Sequence, residues 1–325
     1  MLMSNPLNTL AIDKLLPDLS HAYQLGDVLS HLKPIAGGLL HQCWQFRTTE
    51  GDFVLKKLNP TVIHKSGCAD RYRVSEEIAN QLGKHISAVS ALRHDGDPLF
   101  FLANEVVMVF PYVAGHVLSQ QQVMLYHIAR MGEMLAKIHQ ATIQAQHAPA
   151  VEWLELDSLS ATVDDYAQCL AMVKNRYPDR HDMETALRNN LVISHRDCDP
   201  KNVLWDQQGR YWVIDWESAG WINKTKDTLV TAIYWSLDSD YQINQDYFSH
   251  FIKAYRQSGG EFDNNELAAA FYGLISDWLT WLDFNISRMA SHSSESIEGK
   301  LGRAEVGKTL KAIPILLSQA DSIAL

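Results

Sequence analysis

The sequence predicts an α+β protein with two lobes: a small lobe built on an antiparallel sheet over residues 1–110, and a mostly helical lobe over residues 111–325. Short apolar runs separated by turn signals are concentrated in the first part, whereas apolar residues at helical spacing dominate the second. Pro111 and Gly115 bracket the segment between the two patterns, as expected of a linker. A chain of 325 residues with 46% apolar residues provides ample core.

The composition limits the partners of the protein. A formal net charge of −10 argues against nucleic acid and anionic membranes, although it is compatible with a cationic ligand. The four cysteines are scattered without metal-type spacing, which is typical of reduced thiols in a cytoplasmic protein. We find no signal-peptide pattern at the N-terminus and no apolar run of membrane-spanning length. We therefore expect a cytoplasmic location.

The first lobe is predicted to begin with a helical extension over residues 8–31, followed by three short strands. Gly37 and Gly38 fall in the first turn, where glycine lets backbone N–H groups approach phosphate oxygens closely. An ordinary hairpin also favours glycine, so this pair alone decides nothing. The third strand ends near Lys56, which follows three apolar residues. Lys57 should point to the opposite face, because side chains alternate along a strand.

A helix is predicted over residues 70–87. Glu77 borders the apolar face of this helix, and we predict that its carboxylate pairs with the Lys56 ammonium. Glu76, one position away, is the alternative. Two further strands follow at residues 99–102 and 105–110. In the second lobe, apolar periodicity predicts helices over residues 122–145, 228–236, 245–257 and 265–290, a polar loop over 291–302 and a closing helix to about residue 317.

The strongest motif lies in the segment 192–217, VISHRDCDPKNVLWDQQGRYWVIDWE. It places Asp197 two residues after His195, Asn202 five residues later, and Asp215 at the end of a strand that follows a hairpin turn. Phosphoryl transfer from a nucleotide requires a carboxylate beside the acceptor hydroxyl, together with amide and carboxylate oxygens that hold Mg²⁺ on the phosphates. A solvated loop also contains Asp and Asn, but the order, the spacing and the flanking strands favour the catalytic interpretation.

At these residues the chain resembles the aminoglycoside phosphotransferase and choline kinase superfamily, the small-molecule relatives of the protein kinases. The resemblance implies a protein-kinase-like fold, with Asp197 as catalytic base, Asn202 and Asp215 as Mg²⁺ ligands and His195 as a structural brace. Most small-molecule members carry glycine after this histidine, whereas Arg196 is typical of protein kinases. That difference bears on the class of acceptor and leaves the core chemistry in place.

The resemblance also implies roles for residues outside the motif. Lys56 would contact the α and β phosphates, and backbone groups near Phe110 and Tyr112 would contact the adenine edge at the hinge between the lobes. His139 would be a structural hydrogen-bonding residue. Asp227 would cap the helix that follows the metal-binding strand and position the loop before it.

We therefore expect a kinase that uses ATP, or another nucleoside triphosphate, together with Mg²⁺ to phosphorylate a hydroxyl group of a small molecule. The acceptor stays open between aminoglycosides, amino alcohols such as choline, and sugars. Seven tryptophans between residues 205 and 281, and carboxylates such as Asp277, could bind a cation, although most of these rings are expected to pack the core. The alternative is a nucleotide-binding pseudokinase or scaffold. A protein kinase is disfavoured, because only eleven residues separate Asp215 from Asp227.

Overall fold

The computed structural model describes residues 12–35, 40–102, 105–145, 147–153 and 164–323. The chain divides into two compact units. The first comprises residues 1–116, 143–148 and 204–219, and the second comprises residues 117–142, 149–203 and 220–325. The predicted boundary after residue 110 lies close to the first division, but the segment 204–219 joins the first unit.

The first unit is built on a five-stranded antiparallel sheet. Its strands are β1 (Lys33–Ile35), β2 (Gln42–Thr48), β3 (Gly51–Lys57), β4 (Phe100–Leu102) and β5 (Glu105–Pro111). Their order in the sheet is β1-β2-β3-β5-β4. The side chains of β2 and β3 alternate between buried and partly exposed, the pattern of a sheet with one face in the core. Trp44, Phe46 and Leu55 are fully buried on that face.

The helices that accompany this sheet include α1 (Leu16–Ala22), α2 (Pro60–Ile63) and α3 (Cys68–Leu82). Of the helical extension predicted over residues 8–31, residues 8–11 lie outside the described residues, and α1 ends at Ala22, before the expected end at residue 31. Leu16 and Leu19 are buried in the same apolar cluster as Trp44, so the extension completes the core of the sheet. The side chain of Asn59 caps α2 by accepting the Thr61 N–H at 3.0 Å.

The predicted hairpin of the catalytic segment is formed by β8 (Val203–Trp205) and β9 (Tyr211–Val213). The Val213 N–H donates to the Ser87 carbonyl at 2.8 Å, and the Val89 N–H donates to the Val213 carbonyl at 2.9 Å. These bonds attach β9 to the segment after α3. A short 3₁₀ helix, Trp216–Ser218, then packs against α3. The sheet that carries Lys56 and the strand end that carries Asp215 are therefore parts of one compact unit.

The second unit is mostly helical, as predicted. Two short strands, β7 (Leu191–Ser194) and β10 (Gly220–Asn223), form an antiparallel pair beside the helices. A further short strand, β6 (His116–Val117), lies at the division of the chain between the two units. The helices are α4 (Leu125–Gln140), α5 (Asp164–Arg176), α6 (Arg180–Ala186), α7 (Lys224–Tyr234), α8 (Gln245–Gln257), α9 (Leu267–Ser291) and α10 (Ile297–Gln319). In the described parts of the chain, no helix is long and apolar enough to cross a membrane.

One element of the second unit differs from the prediction. The stretch 291–302 was expected to be a polar loop, but α10 already begins at Ile297. The Ser296 hydroxyl caps this helix by accepting the Gly299 N–H at 3.0 Å. The prediction was wrong because polar residues in the first turn of a helix look like a loop when only apolar periodicity is counted.

Two helices of the second unit, α4 and α8, approach each other closely at Gly132. A Cβ atom at this position would lie 2.5 Å from the Phe251 carbonyl oxygen and 3.0 Å from the Tyr255 nitrogen. Glycine is required there because the partner backbone occupies the space of a side chain. The contact fixes α4, which carries His139 near its C-terminal end.

Candidate active site

In the first unit, Lys56 lies on β3 with its side chain almost buried, at 12% exposure. Its ammonium donates to Asp215 Oδ1 at 2.6 Å and to Glu217 Oε2 at 3.1 Å. Burial disfavours the charged form, but the two carboxylates outweigh it and hold the pKa of Lys56 well above its usual range. The lysine predicted from the third strand therefore lies against the aspartate predicted from the motif.

The predicted partner of Lys56 on α3 is corrected by the structure. Glu77 accepts from the Arg93 guanidinium at 2.8 Å and from the Gln81 amide, and its side chain is 44% exposed. The alternative, Glu76, is buried and accepts the Ala91 N–H at 2.6 Å. The helix register turns both carboxylates towards residues 91–93. Among the described residues, Asp215 and Glu217 are the carboxylates that bond to the Lys56 ammonium.

Glu217 is held by two further side chains that the sequence analysis did not identify. His41 Nε2 lies 3.0 Å from Glu217 Oε2, and the Tyr72 hydroxyl donates to the same oxygen at 3.4 Å. Burial raises the pKa of Glu217, but the Lys56 charge and the His41 hydrogen bond outweigh it, and the pKa lies well below its usual range. The acidic residue two positions after Asp215 was the available sequence signal; nothing in the sequence pointed to His41 or Tyr72 as its partners.

Cys43 lies directly opposite Lys56 in the β2–β3 ladder. Burial raises the pKa of this thiol to about 11. The nearby Lys56 charge opposes the change, and Asp215 and Glu217 add to it. The thiol is thus neutral at physiological pH, and we assign it no chemical role.

The backbone at Asp215 adopts a left-handed conformation with φ +63°. This region is uncommon outside glycine, although Asp tolerates it better than most residues, and strained positions of this kind cluster at functional sites. Asp215 Oδ1 accepts from Lys56, whereas Oδ2 has no hydrogen-bond partner among the described residues. One carboxylate oxygen of Asp215 therefore remains for another ligand.

In the second unit, the side chain of Asp197 is 37% exposed and is oriented by two neighbours. Lys201 Nζ donates to Oδ1 at 3.3 Å, and Asn202 Nδ2 donates to Oδ2 at 2.9 Å and to the Asp197 carbonyl at 2.8 Å. Burial raises the pKa of Asp197 against the opposing effect of Lys201, and Asp199 adds to the rise. His195 is fully buried and accepts the Asp197 N–H at 3.3 Å, which agrees with its predicted bracing role.

Local structure explains why Lys201 and Asn202 reach Asp197. Asp199 caps a 3₁₀ helix, Pro200–Asn202, by accepting the Lys201 N–H at 2.9 Å. This turn brings residues four and five positions after Asp197 back to its carboxylate. Lys201 was missed by the sequence analysis, although its spacing of four from Asp197 was a usable signal.

Arg196 has a structural role in the second unit. Its backbone is left-handed with φ +67°, where glycine would be less strained, and its guanidinium donates to the Pro149 carbonyl at 3.1 Å. The Trp221 N–H donates to the same oxygen at 2.9 Å. A Cβ atom on Gly220 would lie 2.2 Å from that oxygen. Arg196 thereby anchors the segment that starts at Pro149.

His139 and Asp227 form a buried pair in the second unit, with His139 Nε2 lying 2.9 Å from Asp227 Oδ2. The other ring nitrogen of His139 lies 2.8 Å from the Tyr255 hydroxyl. His139 is therefore a buried hydrogen-bonding residue, in agreement with its predicted role. The expected capping role of Asp227 is wrong, because the side chain of Asn223 caps α7 by accepting the Lys226 N–H at 2.9 Å.

Of the remaining predicted nucleotide contacts, Gly37 and Gly38 lie outside the described residues. Phe110 pairs with Val54 in the sheet, and the Tyr112 N–H donates to the Asp52 carbonyl at 3.0 Å. This amide is committed to the sheet, so an adenine contact at Tyr112 would have to use its carbonyl. A groove of about 660 Å³ runs past Tyr112, but neither Lys56 nor Asp215 lines it. We therefore do not assign this groove to the phosphates.

A comparison with models of protein families identifies the family of the chain. The model of the phosphotransferase enzyme family matches residues 31–266, which is most of the sequence. The chain belongs to this family. The matched range contains Lys56, Asp197, Asn202 and Asp215. Among curated proteins, no significant match is found.

Solved structures with the same fold cover nearly the whole chain. A spectinomycin phosphotransferase in complex with ADP and spectinomycin is similar at a TM-score of 0.68 and 11% identity, over 95% of this chain and 98% of that one. A choline kinase from Streptococcus pneumoniae gives 0.65 and 14%, over 94% and 99%. A choline/ethanolamine kinase family protein from Mesorhizobium loti gives 0.62 and 19%, over 96% and 99%.

These findings confirm the predicted superfamily and the protein-kinase-like α+β fold, with an antiparallel sheet in the N-terminal part and a helical C-terminal part. They also confirm the predicted class of enzyme, a small-molecule phosphotransferase. At such low identity the similar structures establish the fold alone. The roles of individual residues are therefore proposals.

Proposed function

We propose that this phosphotransferase transfers the γ-phosphoryl group of ATP, with Mg²⁺, to a hydroxyl group of a small molecule in the cytoplasm. The observation that carries the proposal is the carboxylate of Asp197. It is partly exposed, both its oxygens are oriented by neighbouring side chains, and its pKa is raised. A carboxylate with these properties is suited to orient a hydroxyl group and accept its proton.

In the proposed reaction, Asp197 accepts a hydrogen bond from the acceptor hydroxyl and takes its proton as the oxygen attacks the γ-phosphorus. The bond from that phosphorus to the bridging oxygen of ATP breaks, and ADP leaves. Lys201, 3.3 Å from Asp197 Oδ1, supplies a positive charge beside the carboxylate. Asn202 fixes the other oxygen at 2.9 Å. The carboxylate is thereby held in one orientation, and positioning is the main contribution that a protein makes to phosphoryl transfer.

The donor sets of Asn202 and Asp215 suit Mg²⁺, which prefers oxygen ligands. The amide nitrogen of Asn202 is committed to Asp197, and this leaves its amide oxygen as an available ligand. Asp215 likewise retains Oδ2. When bound, Mg²⁺ would offset the negative charge of the phosphates. Lys56 would contact the α and β phosphates from β3.

For the acceptor, we propose a hydroxylated compound with a positive charge or a sugar ring. The net charge of −10 supports a cationic acceptor, and two structurally similar enzymes are described as a choline kinase and a spectinomycin phosphotransferase. Asp277 is a half-exposed carboxylate of the second unit, held by the buried Lys226 at 2.9 Å. Trp205, Trp216 and Trp235 are fully buried and are therefore core residues, as expected for most of the tryptophans.

The test is ADP release from Mg²⁺-ATP across a panel of amino alcohols, aminoglycosides and sugars, with Asp197→Ala as the inactive variant. We expect a hit whose turnover falls by about 10²- to 10⁴-fold in the variant, because proton transfer to a positioned base contributes that much. ATP should still raise the melting temperature of Asp197→Ala. Glu295→Ala, at a side chain that is 84% exposed, is the matched control and should turn over normally.

The possible outcomes separate the proposal from its alternative. Loss of ATP binding in Asp197→Ala would contradict the assignment of Asp197 as a base. Stabilisation of the wild-type protein by ATP without turnover of any member of a broad panel would favour the nucleotide-binding pseudokinase or scaffold.

A further inference from the structure

The Lys56 ammonium has a counter-ion that is itself held by two buried side chains. We propose that His41, Tyr72 and Glu217 form a positioning cluster, which holds Lys56 where the phosphates of a nucleotide bind. This inference rests on the proposed nucleotide-dependent function and assigns residues that the sequence motif does not contain. In this proposal none of the three takes part in the chemistry; they act through Lys56.

His41 lies immediately before β2 and is held by a hydrogen bond from the backbone of Asn59. The Asn59 N–H donates to Nδ1 of His41 at 3.0 Å, so the proton of the neutral ring lies on Nε2. That nitrogen faces Glu217 Oε2 at 3.0 Å and the Tyr72 hydroxyl at 2.9 Å. The His41 side chain is only 4% exposed. The imidazole thus presents one N–H group to the carboxylate in a single orientation, which the backbone of Asn59 sets.

Glu217 is the counter-ion that remains to Lys56 if Asp215 serves the metal. The carboxylates of α3 have other partners in this arrangement: Glu76 accepts from the Ala91 amide and Glu77 from the Arg93 guanidinium. An ammonium on a four-carbon stem is a mobile point charge. A carboxylate at 3.1 Å, itself held by His41 and Tyr72, restricts that movement. The cluster therefore sets the position at which the lysine can meet a phosphate oxygen.

The experiment compares nucleotides with and without phosphate. Dissociation constants of Mg²⁺-ADP and of adenosine are measured by calorimetry for the wild-type protein and its variants, in the absence of any acceptor. For Glu217→Gln and His41→Asn we expect ADP binding to weaken by about tenfold or more, because a hydrogen bond to a charged group is lost. Adenosine, which has no phosphate, should bind with an unchanged constant.

Two histidine variants separate the roles of the ring nitrogens. His41→Asn places an acceptor near the position of Nδ1 but removes the donor to Glu217, whereas His41→Gln can retain a donor near Nε2. ADP affinity should therefore be higher in His41→Gln than in His41→Asn. The double variant His41→Asn with Glu217→Gln should bind ADP no more weakly than Glu217→Gln alone, because both changes break the same contact. Glu77→Gln, on α3 but bonded to Arg93, is the matched control and should bind ADP normally.

The outcomes distinguish this inference from the proposed function. If the variants weaken ADP and adenosine binding equally, the three residues have a general structural role and the positioning cluster is overturned. Unchanged ADP binding in Glu217→Gln would also overturn it. A wild-type protein that binds no ADP would overturn both the cluster and the proposed function. If the histidine variants do not fold, Tyr72→Phe tests the cluster by the same comparison of ADP with adenosine. This variant removes a single hydroxyl group and is expected to weaken ADP binding about threefold.

Discussion

The clearest stability prediction concerns the buried carboxylate of Glu76. Its side chain lies on α3 at 4% exposure and accepts the Ala91 N–H at 2.6 Å. Burial raises the pKa of Glu76 to about 7, against the opposing effects of the Ala91 N–H and the Lys56 charge. The folded protein therefore binds a proton at Glu76 over a pH range in which the unfolded chain has released it.

The sign and size of the effect follow from proton linkage. Between pH 4.5 and pH 7 the folded state binds more protons at Glu76 than the unfolded state, so stability falls as the pH rises through this range. A change of one in pKa corresponds to about 1.36 kcal/mol, and a rise from 4.5 to about 7 amounts to about 3 kcal/mol. This contribution is complete below pH 4.5 and is lost as the pH rises through 7.

Glu76→Gln keeps an acceptor oxygen for the Ala91 N–H and does not titrate. The free energy of unfolding should be measured by urea denaturation from pH 5 to pH 8 for both proteins. We expect the wild-type value, relative to that of Glu76→Gln, to fall by about 2–3 kcal/mol over this range. Glu77→Gln, whose carboxylate is 44% exposed, controls for a general change in the helix. Parallel pH profiles for the wild type and Glu76→Gln would refute the reasoning.

Two further predictions compare matched variants by thermal or urea unfolding. Arg196→Ala and Arg196→Gly both lose the hydrogen bond to Pro149, but only glycine relieves the strain of the left-handed backbone. Arg196→Gly should therefore be more stable than Arg196→Ala by about 1 kcal/mol. Equal stability of the two variants would show that the backbone at residue 196 is not strained. Gly132→Ala should destabilise by about 1–3 kcal/mol, because its Cβ would lie 2.5 Å from the Phe251 carbonyl oxygen. Gly307→Ala, on α10 with open space around it, should instead stabilise by up to about 1 kcal/mol; a loss of stability in both glycine variants would contradict this steric argument.

Local patterns in the sequence were sufficient for much of the first unit. Lys56 was predicted from a strand with three apolar residues before it, and the hairpin before Asp215 from a turn between two apolar runs. Both depend on residues close together in the chain, where turn chemistry and side-chain alternation act directly. The ammonium of Lys56 and the carboxylate of Asp215 are 2.6 Å apart, although 159 positions separate them in sequence.

The errors have a different physical origin. The partner of Glu77 depended on the helical register and on Arg93, sixteen residues away, which no short-range pattern encodes. The His41–Glu217 contact joins two sheet-associated segments 176 positions apart, and only the pairing of those segments creates it. The early start of α10 depended on one capping serine in a polar stretch. Side-chain partners set by tertiary packing were therefore the part that the sequence did not reveal.

The facing positions of Cys43 and Lys56 also govern how the protein responds to covalent reagents. Electrophiles attack the deprotonated forms of these side chains, the cysteine thiolate and the neutral lysine amine. The protein disfavours both deprotonated forms, because the pKa of Cys43 is raised to about 11 and the pKa of Lys56 is raised well above its usual value. At neutral pH the Cys43 thiol is therefore almost entirely protonated. Alkylating and acylating probes should thus leave this pair largely unmodified. A covalent inhibitor aimed at Lys56 would first have to displace the carboxylates of Asp215 and Glu217 from its ammonium.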